Sequence, residues 1–356
     1  MTLSRRRKLI FVAFAMAIAI GVTSAALLAV DVYLHGRYQR SAGFNVWGYR
    51  GAPVGKKKPG EYRIVVLGGS AAYGYGVTAD EAMPAVLEAK LRARMSSPLL
   101  TVVNLGYNNE GTYSFKTTLQ DYGWLDYDLA LLYEGYNDLM ADERRPNVQV
   151  FRHESPVFRL TGYMPIFPII FKEKAAAMLN GGDVGALYRQ GGKTVFHADV
   201  ATKAAAGVLN ATAAVAQSLE TQLGRVSVEP AHSIVGAESS GCRAPWQAYC
   251  QSMAVAVEYA RGRGRQVLIG TQPYLALDET IHARHLAQQD ALRASLGQRF
   301  GNDRAVGYVN LGNSVDLENS QLSFDHMHLT ASGNEQLAGA LVESVIEMAG
   351  RRKKTS

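Results

Sequence analysis

Five short apolar segments, separated by stretches with helical periodicity, constrain the fold of this chain most strongly. We predict strands at residues 63–67, 101–105, 129–133, 266–270 and 306–311. Helices are predicted at residues 79–95, 247–261, 279–300 and 331–348. Such an alternation of short buried strands and amphipathic helices favours a parallel sheet covered by helices on both faces. In sheets of this kind, chemistry sits at the carboxyl ends of the strands.

An uncharged apolar run near the amino terminus indicates a membrane. Residues 9–30 carry no charge, and a helix of this length crosses the hydrocarbon core of a bilayer, which is about 30 Å thick. Four basic residues precede the run within residues 1–8, and such clusters stay in the cytoplasm. We therefore predict a single-pass transmembrane anchor in the inner cell membrane, with a cytoplasmic amino terminus and an extracytoplasmic, periplasmic body. A cleaved signal peptide is the alternative interpretation.

The rest of the chain is expected to form one large domain that contains an insert. We predict a linker at residues 31–58, a folded domain at residues 59–350 and a basic tail at residues 351–356. The interval between the third and fourth strands is too long for a simple crossover. Residues 140–245 are therefore interpreted as an insert that could form a lid. Its apolar, proline-broken residues 157–171 could be that lid, a membrane-facing patch or a buried loop.

The end of the predicted insert contains the two cysteines of the chain, after a predicted helix at residues 197–224. Cys242 and Cys250 could pair in an oxidising compartment, provided that Cys242 lies in a loop before a helix that begins near Pro245. The alternative is that both remain unpaired. Neither cysteine stands in a spacing typical of a zinc site, so no metal or other cofactor is expected.

The distribution of charge argues against a nucleic-acid partner. The formal net charge is +6, but eight basic residues lie in two clusters, at residues 5–8 and 351–354. The rest of the chain is nearly neutral and lacks the basic surface that binding a polyanion requires.

Four short polar blocks follow predicted strands or precede the last helix. Ser70 stands in a glycine-rich turn after the first strand, and Gly106 follows the second. Asn137 follows the third strand, and Asp325 and His328 lie before the last helix. A serine hydroxyl becomes a good nucleophile when a histidine takes its proton, and a carboxylate can orient that histidine. N–H groups at neighbouring strand ends can stabilise an oxyanion.

Taken together, the four blocks resemble the signature of the SGNH hydrolases, the GDSL-type lipases and esterases. The blocks are Gly68-Gly69-Ser70, Gly106, Gly135-Tyr136-Asn137-Asp138 and Asp325-His326-Met327-His328. The resemblance implies a flavodoxin-like three-layer α/β/α fold with a parallel five-stranded sheet. It implies that Ser70 is the nucleophile, that His328 is the base and that Asp325 orients His328. The implied oxyanion hole comprises the Ser70 N–H, the Gly106 N–H and the Asn137 amide.

Two positions in these blocks need separate mention. The family usually has an aspartate before the serine, whereas this chain has Gly69. His326 is a rival for the role of base, although the D-x-x-H spacing favours His328.

The resemblance implies a membrane-anchored serine ester hydrolase that works through an acyl-serine intermediate. The expected partners are the membrane and small acyl esters of carbohydrate or lipid. Tyrosines around the blocks could stack on sugar rings or simply pack, and the apolar residues 157–171 suit an acyl chain. An O-acyltransferase of envelope polysaccharide with the same chemistry is one alternative, and a non-catalytic envelope scaffold is another. The oligomeric state cannot be predicted from the sequence.

Overall fold

The chain divides into two compact units in a computed structural model. The structure describes residues 5–39, 43–95, 99–140, 152, 155–168, 170–171, 242, 245–275 and 278–353. One unit, here called the N-terminal unit, comprises Met1–His35 and Pro165–Val235. The other, here called the sheet unit, comprises Gly36–Met164 and Gly236–Ser356 and contains every predicted site residue.

A five-stranded parallel sheet forms the centre of the sheet unit. Its strands are β1 (Tyr62–Leu67), β2 (Leu100–Asn104), β3 (Leu129–Tyr133), β4 (Gln266–Gly270) and β5 (Val306–Val309). Their order is β2-β1-β3-β4-β5, and each neighbouring pair is parallel. The parallel sheet is therefore confirmed, and its strand order is the flavodoxin-like one. The fifth strand ends at Val309, two residues before its predicted end.

Helices cover both faces of this sheet. They are α2 (Ser70–Tyr73), α3 (Met83–Met95), α4 (Phe115–Asp121), α5 (Tyr136–Met140), α6 (Pro156–Thr161), α7 (Gln247–Arg261), α8 (Glu279–Phe300) and α9 (Ala331–Lys353). The step from β1 to β2 runs opposite to the later steps across the sheet. Because parallel crossovers are right-handed, α3 lies on one face, and α4, α7 and α8 lie on the other. Helix α9 packs against α3, which confirms the predicted three layers.

The core lies between the sheet and its two helix layers. All five residues of β3 are buried, as expected of a central strand whose two faces are both covered. Helix α3 buries Leu87 and Leu91, which are four residues apart on one face. Helix α9 buries Leu337 and Leu341 with the same spacing. Each fully buried leucine stabilises the fold by roughly 1.5–3 kcal/mol.

The helix predicted at residues 79–95 begins later than expected. Residues Ala79–Glu81 form a 3-10 turn, in which Thr78 and Glu81 make a reciprocal capping box. Ala82 is extended, and α3 begins at Met83 with Pro84 in its first turn. Proline is tolerated there because the first N–H groups of a helix have no partner within the helix.

The predicted linker at residues 31–58 differs from the structure at both ends. The first helix, α1 (Arg5–Tyr38), continues beyond residue 30. Phe44, Tyr49 and Arg50 are buried in the sheet unit, and the Arg50 N–H donates to the Asn104 carbonyl at 3.1 Å. The signal for a linker was scattered glycine and lysine, which does not show that neighbouring residues are buried.

Helix α1 carries the predicted membrane span. Among the residues that the structure describes, one helix is long and apolar enough to cross a membrane, and it is α1. A signal sequence near the amino terminus would pass the same test. Within the N-terminal unit, the end of this helix is polar, since Asp31 lies 3.3 Å from His35 and accepts the Phe167 N–H.

The predicted insert at residues 140–245 falls mainly outside the described residues, as does the helix predicted at residues 197–224. Its described residues in the sheet unit include Arg152, α6 and Cys242. In α6, Phe158 is buried and Leu160 is 86% exposed, so the apolar segment is neither wholly buried nor wholly open.

The two cysteines of the sequence are joined in the structure. Cys242 lies before α7, Cys250 lies within it, and their Cα atoms are 6.2 Å apart. This is the arrangement that the paired interpretation required, with the first cysteine outside the helix.

Candidate active site

The ends of three neighbouring strands bring the first three sequence blocks together. Because β2, β1 and β3 are adjacent and parallel, their carboxyl ends meet at one edge of the sheet. Ser70 follows β1, Gly106 follows β2 and Asn137 follows β3. The fourth block lies in the loop between β5 and α9 and reaches the same edge.

A sharp turn after β1 presents Ser70 at the start of the one-turn helix α2. Gly68 is needed in this turn because a Cβ atom there would lie 2.1 Å from the Tyr133 carbonyl oxygen. The carboxyl end of α2 is held by Arg50, whose guanidinium donates to the carbonyls of Tyr73 and Gly74 at 2.5 Å. A cation at the carboxyl end of a helix satisfies carbonyls that have no partner within the helix. The predicted linker thus contributes a residue that supports the serine turn.

Ser70, His328 and Asp325 form a continuous hydrogen-bonded chain. The Ser70 Oγ lies 2.8 Å from the His328 Nε2. The His328 Nδ1 lies 2.7 Å from the Asp325 Oδ2. A carboxylate only accepts hydrogen bonds, so Nδ1 carries the proton and Nε2 is free to accept from the serine hydroxyl. The arrangement can therefore take the proton of Ser70 when its oxygen attacks a carbonyl.

Asp325 is held in its ionised form by the histidine that it orients. Burial alone would raise the pKa of Asp325, but hydrogen bonds from the His328 ring and backbone N–H together lower it below its usual value. The backbone N–H of His328 donates to Asp325 Oδ1 at 2.7 Å. His326, the rival base, is exposed and has the left-handed φ of 61° that the tight loop requires. His328 is the histidine that contacts the serine hydroxyl.

Two of the three predicted oxyanion donors are oriented for that role. The Ser70 N–H begins α2 and has no acceptor within the helix. The Asn137 Nδ2 donates one hydrogen to the Glu110 carbonyl at 2.8 Å, which leaves its second hydrogen for a ligand. The Gly106 N–H, by contrast, donates to the Asn104 Oδ1 at 3.0 Å. Its predicted place in the oxyanion hole therefore requires Asn104 to release it.

Two buried carboxyl groups beside these donors were not singled out by sequence analysis. Glu134 is 1% exposed and accepts hydrogen bonds from the backbone N–H groups of Gly69, Gly135 and Asn137. Burial and the charge of Asp138 raise the pKa of Glu134, the three N–H groups lower it, and the net value is about 8. Burial raises the pKa of Asp138 to about 6, against hydrogen bonds from Thr112 that lower it. The available signal was an acidic residue in an otherwise apolar strand end.

A buried ion pair supports the loop that positions Asn137. The Arg152 Nη2 lies 3.0 Å from the Glu110 Oε2, and both side chains are 1% exposed. Arg152 also donates to the Leu105 carbonyl at 3.0 Å, and its guanidinium lies over the rings of Tyr107 and Tyr122. A residue of the predicted insert therefore belongs to the foundation of the site.

Two exposed aromatic rings flank the histidine. The Tyr75 ring lies 4.8 Å from the His328 ring, and the Phe324 ring lies 5.9 Å from it at an interplanar angle of 16°. Tyr75 is 36% exposed and Phe324 is 47% exposed. Both rings thus offer apolar surface beside the reactive pair. Within the described part of the chain, no group of three or more histidine, cysteine or acidic side chains is arranged to hold a metal ion.

Comparison with known proteins gave structural likenesses only. No family model and no curated protein matches the sequence. One similar structure is an alpha/beta hydrolase enzyme from the metagenome of Lake Arreo, at 14% identity and a TM-score of 0.44 over 83% of this chain and 99% of that one. Another is a mutant of an acetylxylan esterase from Geobacillus stearothermophilus, at 11% identity and a TM-score of 0.43 over 80% and 94%.

A third similar structure is a member of the lipolytic protein G-D-S-L family from Veillonella parvula, at 11% identity. Its TM-score is 0.42, and the match covers 79% of this chain and 97% of that one. Identities this low, with TM-scores below 0.5, do not establish an activity for this chain. Its function is therefore inferred from its own residues.

Proposed function

We propose that this chain is a serine ester hydrolase of the SGNH type, with Ser70 as nucleophile, His328 as base and Asp325 as the residue that orients the base. The observation that carries the proposal is the chain of contacts from Ser70 Oγ to His328 Nε2 and from His328 Nδ1 to Asp325. The three residues come from loops 258 positions apart along the chain. A non-catalytic scaffold has no need to keep such a chain of contacts intact.

The reaction divides into acylation and hydrolysis. In the first step, the Ser70 oxygen bonds to the ester carbonyl carbon, and its proton passes to His328 Nε2. The bond to the alkoxide then breaks, and His328 gives the proton to the leaving oxygen, which yields an alcohol and acyl-Ser70. Water attacks the acyl group in the second step, its proton passes through His328, and the acid and free Ser70 result.

Electrostatic stabilisation of the oxyanion supplies much of the rate in such reactions. The Ser70 N–H and the Asn137 amide are the donors in this role, and the Gly106 N–H joins them if Asn104 turns away. Removal of one such donor typically costs about 3–4 kcal/mol in the barrier. The charge that develops on the carbonyl oxygen is therefore the feature that the strand ends are built to bind.

We further propose that the enzyme is anchored by α1 in the inner membrane, with the sheet unit in the periplasm. The basic residues before the apolar run support a cytoplasmic amino terminus. The pairing of Cys242 with Cys250 supports an oxidising compartment for the sheet unit. A protease-protection assay on sealed inverted vesicles should leave the sheet unit intact, whereas its digestion there would reject this orientation.

The proposed substrates are small acyl esters on carbohydrate, because Tyr75 and Phe324 offer ring faces beside His328 that can stack on a sugar. Such contacts contribute about 0.5–1.5 kcal/mol each, which corresponds to a factor of about 2–12 in affinity. Y75A and F324A should therefore raise KM for an acetylated oligosaccharide and leave KM for vinyl acetate unchanged. Exposed Trp124, in the turn before β3, provides a control, because W124A should affect neither substrate.

A panel of acyl esters assayed with the purified full chain tests the proposed function. Wild type should release free acid from at least one small ester, and S70A in a matched preparation should not. Acetyl transfer onto an added glycan, without acid release, would identify the alternative O-acyltransferase. Acid release by S70A at the wild-type rate would reject the mechanism.

A further inference from the structure

The side chain of Glu134 connects two strand ends that carry the oxyanion donors. Glu134 directly follows β3, and its neighbour β1 leads to Gly69 and Ser70. Its Oε2 accepts the Gly69 N–H, and its Oε1 accepts the N–H groups of Gly135 and Asn137 at 2.9 and 3.1 Å. One carboxyl group therefore holds the backbone before the nucleophile and the backbone of the oxyanion asparagine at the same time.

The space above Gly69 is filled by the same group of atoms. A Cβ atom at position 69 would lie 2.0 Å from the Asn137 Nδ2, 2.6 Å from the Glu134 Oε2 and 2.9 Å from the Glu110 carbonyl oxygen. Any side chain at this position would displace the oxyanion amide or the carboxyl group. This accounts for the glycine that stands where the resembling family usually has an aspartate.

The structure assigns Glu134 as a positioning residue that sets the distance between the Ser70 N–H and the Asn137 amide. Glu134 itself does not touch the reacting atoms, so it acts through these two donors. Oxyanion donors must lie within a few tenths of an ångström of their best position, and a displacement of about 1 Å can cost about a hundredfold in rate. The carboxyl group acts as a clamp, and Gly69 is glycine because this clamp needs its space.

Glutamine at position 134 breaks the clamp whether or not the glutamate carries a proton. Either oxygen of a carboxyl group retains a lone pair for an N–H group, protonated or not. The amide nitrogen of glutamine has no acceptor lone pair, so it faces either the Gly69 N–H or the pair from Gly135 and Asn137. One side of the connection is therefore lost with almost no change in volume.

Kinetics of the full chain in detergent provide the first test, and this readout alone rests on the proposed ester hydrolysis. E134Q should lower kcat by about 10- to 100-fold and change KM by less than about threefold. In an N137A background, the same substitution should cost much less, because its effect passes through Asn137. Wild-type kcat in E134Q, or an equal cost in the N137A background, would overturn the assignment.

A matched control and a second variant separate positioning from folding. Glu61 is another buried glutamate that accepts a backbone N–H, from Lys58 at 2.8 Å, but it precedes β1 at the far edge of the sheet. E61Q should lower stability and keep kcat within about twofold of wild type. If E134Q does not fold, G69A disturbs the same contact from the other side and should lower kcat similarly; wild-type kcat in G69A would overturn the assignment.

Amide hydrogen exchange gives a readout that needs no substrate. E134Q should speed exchange in the peptides that contain Gly69 and Asn137, and E61Q should not. Unchanged exchange in both peptides would overturn the clamp. If wild type hydrolyses no ester, the proposed function fails, and the exchange measurement still decides the role of Glu134.

Discussion

The amide of Asn137 acts, in this account, as a single donor to the oxyanion. N137A should lower kcat on an activated acetyl ester by about a hundredfold or more, because one donor contributes about 3–4 kcal/mol to the barrier. KM should change little, since the interaction forms only as charge develops. Steady-state kinetics check this, with N302A as a control because Asn302 is exposed in the turn before β5. Equal kcat in wild type and N137A would remove Asn137 from the mechanism.

Residues with a distinctive neighbour in the sequence were predictable at this scale, and residues with a distinctive neighbour only in space were not. Asp325 and His328 are three positions apart, so their contact could be foreseen. Glu134 could not be foreseen, because its role depends on the backbone of Gly69, which lies on another strand end. Gly106 was predicted as a free donor, and Asn104, two residues earlier, occupies its N–H.

At the scale of elements, the strands could be predicted because each is a short continuous apolar run. Helix boundaries and the packing of polar segments were less predictable. The buried Arg50 lies in a stretch rich in glycine and lysine, and Arg152 lies in the predicted insert. Neither segment has an apolar pattern, since each is fixed by one arginine that reaches backbone carbonyls. Hydrogen bonds of this kind leave no periodic signal.

The pair of Arg152 and Glu110 ties a described residue of the insert to the loop before α4. R152M should lower the free energy of unfolding by about 3–5 kcal/mol, because it leaves a buried carboxylate without its cation. Denaturant unfolding in detergent measures this. Replacing both partners in R152M/E110Q should recover part of the loss. The exposed pair of Arg299 and Glu258 is the control, and R299M should cost less than about 1 kcal/mol. An equally small cost for R152M would contradict this role.

For the molecule as a whole, buried carboxyl groups make stability depend on pH. Glu134 and Asp138 have pKa values of about 8 and about 6, above their ordinary values of 4.5 and 3.8. The folded chain therefore binds more protons than the unfolded chain between about pH 4 and pH 8. Stability falls as pH rises through this window, by up to about 1.4 kcal/mol per pH unit for each proton.

This dependence can be measured by unfolding the full chain at several values between pH 5 and pH 8.5. E134Q should show a shallower decline than wild type. E61Q should keep the wild-type slope: burial would raise the pKa of Glu61, but Arg63 and the Lys58 N–H lower it, so this residue stays ionised throughout. Identical slopes in wild type and E134Q would show that Glu134 titrates normally.

The activation of Ser70 by His328 is tested most directly by covalent labelling with a fluorophosphonate, which needs no knowledge of the natural substrate. The account predicts that wild type is labelled on the peptide containing Ser70. It predicts that S70A is not labelled and that H328A is labelled far more slowly. Labelling of wild type at another residue, or equal rates in wild type and H328A, would contradict it.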